Sequence, residues 1–454
     1  MNDSGGTAPP PCREKPAEPP PHTAKRSDSL PHPSFQPLAG GAGLLTLTDG
    51  RFKTMRLTAA LLLPLERETA SEYAVLPYLL RRSCESYPDF TALKRRLNEL
   101  YGARIFAEVT RLGEAQALVL HAVAIDDRFA LHGEAIASAC AELLSAMLFR
   151  PALESGCFPA AAVEQEKRCL IEQIESEINE KRLYARRRCE ELLCPGERYA
   201  VDRYGVIEKV GALTPAAVTQ AWKRALSAAQ IRLIVQGASP LAQVGDAFRQ
   251  GLSLLPEREP APCPTQVVRR AETVRERTDR LDVGQAKLVL GLRAGTAEPD
   301  AGVPAMRLMN ALLGGTPHSL LFRNVREKLS LCYYCQSSYD RLKGVLLIDS
   351  GVEEKNAPRA REEILRQLDA VRAGDFTDED LESARRSVVN QFVTVGDLQS
   401  TTASWYLGQS LAPRLSTPEE SADAVRAVTR EQVAAAAQGV TLGADYLLAG
   451  KEAL

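Results

Sequence analysis

The chain has 454 residues, 45% of them hydrophobic and 25% charged, with a formal net charge of -2, an ordinary globular composition long enough for two or three cored domains. That charge balance gives no electrostatic footprint for nucleic acid or an anionic membrane. The ten cysteines follow no repeating spacing of the kind a zinc knuckle or disulfide framework needs, and read as buried thiols.

Met1 to Leu38 are rich in proline and polar residues and lack the apolar run of a signal peptide, so residues 1–38 read as a disordered tail and the protein as cytoplasmic. The apolar run Leu57 to Leu65 is too short to span a bilayer and reads as a buried strand. Strands are expected at Gly43 to Leu47 and Phe52 to Leu63 around an Asp49-Gly50 hairpin turn. Helices follow at Ala74 to Arg82 and at Phe90 to Leu100, the second stopped by Gly102. Strands at Ile105 to Thr110 and Gln116 to Ile125 come next, then helices at Ala130 to Met147 and Ala160 to Leu193. The basic run Arg186 to Arg188 reads as the solvated face of that long helix. Ile231 to Gly237 closes the half as a strand.

The second half repeats the grammar. "DVGQAKLVLGLRAG" and "GVLLIDSGV" read as strands, and "VPAMRLMNALLGG" and "SLLFRNVREK" as helices; of two late helices, one opens on a capping box from Thr377 to Asp380. Setting Ala92 to Phe106 over Leu320 to Tyr334 matches helix to helix and strand to strand at an offset of 228. Two homologous α+β domains are implied, 39–258 and 282–454, joined by a proline-rich, charged linker at 259–281. The one CxxC, Cys332 to Cys335, falls on an expected strand, where residues three apart point to opposite faces.

In "LFRNVREKLSLCYYCQSSYD", Arg326 sits in an expected last helical turn and Tyr333 seven residues on at a strand start. Taken alone, both are ordinary: a cation suits the macrodipole there, and tyrosine is a good strand residue. The longer stretch "LLGGTPHSLLFRNVREKLSLCYY" resembles the second-domain signature of the pitrilysin and insulinase family of zinc metallopeptidases, which includes mitochondrial processing peptidase. "LTDGRFKT", "EQEKRCLIEQI" and "TDEDLESARRSVVNQF" are similar to other segments of that family in the right order. The resemblance implies two homologous domains, each a mostly antiparallel sheet with helices packed on one face, together half of a clamshell.

Active members carry HxxEH on a first-domain helix and a glutamate on the long helix. Histidines four apart share a helix face and, with the third ligand, leave one zinc position for water, while the glutamate of the motif is the general base. Here the resemblance puts Ala74 and Tyr78 at the histidine positions, Pro77 at the base and Gln173 at the distant ligand; a slip of one residue would substitute Glu172. His22 and His32 lie in the tail, and His121, His132 and His318 on separate elements. The resemblance therefore implies a degenerate member without zinc or catalysis of its own. Zinc is expected in a homologous partner chain, with which this one would enclose a chamber for a peptide or unfolded protein. Arg326 and Tyr333 match the pair that such a partner supplies to the substrate backbone. "YLLRRS", "LNELYGA" and "EKLSLCYY" are most similar to bacterial insulinase-family members associated with the 5-aminopentanol modification of elongation factor P. A scaffold that holds protein without hydrolysis is the alternative.

Overall fold

The computed structural model describes residues 32–238, 241–412 and 414–451. One sheet contains β1 (Ser34–Pro37), β2 (Gly43–Thr48), β3 (Thr54–Pro64), β4 (Arg104–Leu112), β5 (Ala115–Ile125) and β6 (Gln230–Gly237), in the order β1-β2-β6-β3-β5-β4. The other contains β7 (Arg275–Leu281), β8 (Ala286–Arg293), β9 (Cys332–Asp340), β10 (Val345–Val352) and β11 (Thr441–Gly450), in the order β7-β11-β8-β10-β9. β2 pairs with β6, and β7 with β11, in parallel; the other neighbours are antiparallel. The internal repeat thus runs through both sheets, with β1 added at one edge.

Some expectations change. The Asp49-Gly50 turn does not make a hairpin, because β6 lies between β2 and β3. The buried Asp49 carboxylate instead accepts from the Arg51 guanidinium and from the Gln236 amide at 2.9 Å, tying the turn to β6. β7 occupies residues 275–281 of the stretch read as linker; as an edge strand it exposes most of its charged side chains, which hid its strand character. Residues 1–31 of the tail lie outside the described residues, and residues 34–37 form β1.

Helices of the first half are α1 (Ala70–Ala74), α2 (Leu76–Leu80), α3 (Phe90–Glu99), α4 (Ile136–Phe149), α5 (Ala160–Asn179), α6 (Lys181–Leu193), α7 (Ile207–Gly211), α8 (Pro215–Ala228) and α9 (Ala242–Ser253). Those of the second are α10 (Val303–Asn310), α11 (Ala357–Ala373), α12 (Asp378–Val393), α13 (Gln399–Leu407), α14 (Pro418–Arg426) and α15 (Arg430–Gln438). Most cover one face of their own sheet, as expected. The helix expected from Ala160 to Leu193 breaks at Glu180 (φ -75°, ψ 88°). Released there, α6 crosses to the second sheet, where Ala185, Cys189 and Leu193 pack on Val289, Leu347 and Tyr446. α13 makes the reciprocal crossing: Ala403, Tyr406 and Leu407 meet Leu47, Leu62 and Ile234 of the first sheet. Both faces of each sheet are therefore covered, which explains the unbroken apolar run of β3.

Crossing also changes the basic run. Arg186 bonds to Asp349 and Ser338, Arg187 to Asp202, and Arg188 to Asp279 and Glu191, so these arginines bind the halves and the chain's turns together rather than facing water. At the seam Lys343, fully buried in the β9–β10 turn, pairs with Glu114 of the β4–β5 turn at 2.5 Å and with Glu197 at 2.6 Å. Arg293 shares Glu197. Charges buried this far from water persist only when matched in this way.

Candidate functional site

The expected helix from Ala74 to Arg82 is two short ones, α1 and α2, because Pro77 has no N–H to give to Tyr73. Its apolar stripe faces inward: Ala74 is fully buried among Val75, Leu76 and Leu79, and Pro77 is buried beside them. Tyr78 is half-buried with its hydroxyl beside that of Tyr204; burial raises its pKa well above the ordinary phenol range, Tyr204 adds to the rise, and Arg203 and Arg81 oppose it. Gln173 lies exposed on α5 and donates its amide to Glu177 at 3.4 Å, and Glu177 pairs with Arg203. Tyr78 and Gln173 thus reach one wall through Tyr204, Arg203 and Glu177, while Ala74 and Pro77 belong to the core.

Neighbouring carboxylates do not restore a metal centre. Glu166 is buried and held by Arg82 at 2.5 Å, and Glu172 points to solvent. Among the described residues no three His, Cys, Asp or Glu side chains group as metal ligands. A zinc ion at the degenerate positions would meet a methyl group, a proline ring, a phenol and an amide next to the Arg203 cation. These residues do not fit the metal, so no step through zinc follows from this chain.

The second-half pair has the opposite setting. Leu321–Lys328, which carries Arg326, winds as a π-helix, a geometry that is rare and concentrated at functional sites. Arg326 is exposed with its guanidinium over the Phe322 ring at 4.6 Å, and it makes no ion pair among the described residues. The helix is anchored by Arg323, which donates to Asp380 at 2.7 Å, and by Asn324, which donates to Gln367 at 2.7 Å. Ser330 follows with φ 50°, a left-handed conformation costly for a residue with a Cβ. β9 then carries a bulge: Gly351 opposes Tyr334 and Val352 opposes Cys332, leaving Tyr333 unpaired.

That bulge decides how Tyr333 is presented. The side chain is 62% exposed, and its hydroxyl has no hydrogen-bond partner among the described residues. With Tyr333 set outside the alternation, Cys332 and Cys335 both drop into the second-half core, which corrects the expectation that they point to opposite faces. It also adds one residue to the repeat. Arg104 matches Cys332 at an offset of 228, but Glu114 matches Lys343 at 229, because Tyr333 has no counterpart in β4.

Between the edge strands β4 and β9 lies a cavity of about 300 Å³ whose lining includes Arg111, Tyr184, Arg203, Glu177 and Asp340. Its arginines are matched: Arg111, for example, pairs with Glu190 at 2.9 Å. No motif marked this cavity in advance, because α6 and the residues after it assemble it only by crossing between halves. No helix among the described residues is long and apolar enough to cross a membrane.

The family profile described as "Peptidase M16 inactive domain" matches residues 212–388. The chain is 30% identical over 414 residues to a probable inactive metalloprotease of Bacillus subtilis, YmfF, covering 91% of this chain and 97% of that one. The chain belongs to the peptidase M16 family. It is an inactive, metalloprotease-like member. Another relative is the antilisterial bacteriocin subtilosin biosynthesis protein AlbE of the same organism, 24% identical over 403 residues, with 85% of this chain and 94% of AlbE covered. The crystal structure of a conserved protein from Enterococcus faecalis superposes with a TM-score of 0.86 at 25% identity, covering 93% of this chain and 99% of that one.

Proposed function

We propose that the chain is the non-catalytic subunit of a heteromeric M16 peptidase. It pairs with a homologous zinc-bearing chain, the two enclose a chamber for a peptide or unfolded protein, and Arg326 and Tyr333 hold the substrate backbone across from the partner's metal. The observation that carries this is the setting of Tyr333. An inserted residue places it on a bulge, exposed and unbonded, and seven residues before it in the chain stands an exposed arginine that has no carboxylate among the described residues. Such exposure lowers fold stability or at best leaves it unchanged, and it supplies a forked cation and a hydroxyl donor to a carbonyl or to a developing oxyanion.

The zinc of the complex belongs to the partner in this proposal. AlbE, described as a biosynthesis protein, supports an accessory role of this kind. An association with elongation factor P modification rests on "YLLRRS", "LNELYGA" and "EKLSLCYY" alone and is part of the same proposal. The alternative, a scaffold that holds protein without hydrolysis, is favoured by the completeness with which Ala74 and Pro77 have been absorbed into the core.

The test is peptide hydrolysis by the reconstituted pair. Arg326→Ala and Tyr333→Phe are each expected to lose about tenfold to a hundredfold in kcat/KM, with assembly and melting temperature unchanged. The double variant should lose less than the product of the two, since both serve one group. Normal hydrolysis by both variants would transfer the case to the scaffold.

A further inference from the structure

Beside the cavity between β4 and β9, and sharing Asp340 with it, lies a larger one of about 520 Å³. α10, the π-wound segment Ala311–Gly315, the end of β9 and α12 supply most of its lining. The apolar part includes Leu112, Ala311, Leu342 and Val388. Arg307 and Asn310 also line it, and they stand three residues apart on α10, so they share one face of that helix.

Both lack partners. Arg307 is half-buried with its guanidinium over the Phe392 ring at 5.1 Å, and it makes no hydrogen bond or ion pair among the described residues. None of its nitrogens is sealed from solvent, so its N–H groups are open to a ligand. The Asn310 amide nitrogen is likewise reachable and unbonded, while the amide oxygen is turned inward. Gly315 keeps that nitrogen clear, since a Cβ there would lie 2.9 Å from it.

The other polar groups around the cavity are already engaged. Arg341 pairs with Glu298 and donates to the Gly408 carbonyl at 3.2 Å. Asp340 accepts from the Tyr199 hydroxyl at 3.0 Å and from the Leu342 and Lys343 N–H groups at 2.9 and 3.3 Å. Tyr339 donates to the Thr296 carbonyl at 2.8 Å, Ser337 donates to the Asn310 carbonyl at 3.1 Å, and Ser338 accepts from Arg186 at 2.7 Å. What remains is one unneutralised cation. Burial and then Arg341 push its pKa down to about 10, against a smaller opposing pull from Glu298 and Tyr339. A partly desolvated cation without an anion is a cost to the fold.

We propose that this cavity binds a small acid, its one carboxylate or phosphate group held by Arg307 and Asn310 and its apolar body lying against Leu112, Leu342 and Val388. A guanidinium fork matches either oxyanion, and one uncompensated positive charge matches one anionic group. The volume falls within the range of small-molecule sites, about 300–1,000 Å³. The site is independent of the pairing proposed above, since it needs neither a partner chain nor Arg326 and Tyr333.

The experiment is calorimetric titration of the full chain with phenylacetate, phenyl phosphate, 2-phenylethanol and 2-phenylethylamine, together with melting curves. At least one of the two acids is expected to saturate one site per chain and raise the melting temperature, and the tighter of them tells carboxylate from phosphate. The alcohol should bind at least about tenfold more weakly, and the amine not at all. Arg307→Gln should weaken the acid about tenfold, leave the alcohol unchanged and melt no lower than the parent chain, because Arg307 has no hydrogen bond or ion pair to lose. Arg307→Lys should recover part of the affinity, and Asn310→Ala should weaken the acid severalfold, which keeps the test decisive should Arg307→Gln misfold. Absence of saturable binding by either acid, equal binding of the alcohol, or binding indifferent to Arg307→Gln and Asn310→Ala would overturn the proposal.

Discussion

The same passage from helix to strand occurs twice in this chain, at 92–106 and at 320–334, and the two copies differ in regularity. In the first, α3 is an α-helix capped by Asp89, which accepts from the Ala92 N–H at 2.8 Å. It turns through Tyr101 at φ 55° and Gly102 at φ 74°, and β4 pairs with β5 in continuous register. In the second, the helix is π-wound, Ser330 stands at the position of Gly102 with φ 50°, and the strand is bulged at Tyr333. Ala74, Pro77, Tyr78 and Gln173 of the regular half lie in its core or in its surface polar network. The irregular half exposes Arg326 and Tyr333. Each copy holds a non-glycine residue at positive φ, so what separates them is the π winding and the bulge, and the bulge leaves Tyr333 exposed.

The joint between the halves gives the largest expected effect. Lys343→Met leaves Glu114 buried without its cation, while Glu197 keeps Arg293, and should cost about 3–5 kcal/mol in denaturant unfolding. A cost below 1 kcal/mol would mean that the crossing helices α6 and α13 alone hold the seam.

Deleting Tyr333 gives the second half the register of the first. Cys332, Tyr334 and Cys335 then alternate in, out and in, so the variant should fold within about 1 kcal/mol of the parent while the reconstituted pair loses about tenfold to a hundredfold in hydrolysis. Asn98→Ala, at the first-half counterpart of Arg326, should change neither. Unfolding of the deletion variant would make the bulge a structural requirement.

The left-handed turn can be exchanged between halves. Gly102→Ser should destabilise by about 1 kcal/mol, and Ser330→Gly should stabilise by no more than that, read as opposite shifts in melting temperature. Equal responses in sign would show that the two turns are not equivalent.

The smallest effect is acid release of the π-helical segment. The Arg323 guanidinium holds Asp380 down from 3.8 to about 2, helped by Thr377. A lowered folded pKa contributes stability that is present above pH 3.8 and lost as pH falls toward 2. The stability difference between the parent chain and Arg323→Gln should therefore be under about 1 kcal/mol at pH 5, since Arg323 is half exposed, and should vanish by about pH 2.

Local pattern made much of this legible. Leu93 and Leu97 gave α3 its buried stripe, and Thr377 with Asp380 gave α12 its observed capping box. That alanine and proline at positions 74 and 77 offer no metal-ligating atom could be judged from the sequence, because side-chain chemistry needs no coordinates. Edge strands were less legible. β7 exposes its charges on both faces and lacks the alternation that marks a half-buried strand.

Sequence by itself determined the repeat, the elements with one buried face, the chemical impossibility of zinc ligation at Ala74 and Pro77, and the candidacy of Arg326 and Tyr333. Each follows from periodicity or from side-chain chemistry, both of which are local. Tertiary structure alone decided that β6 would separate β2 from β3, that α6 and α13 would exchange sheets, and that Arg186 to Arg188 would face carboxylates rather than water. It alone made Tyr333 a bulged insertion. These depend on which distant segments meet, and a pairing across a few hundred residues leaves no periodic trace in either partner.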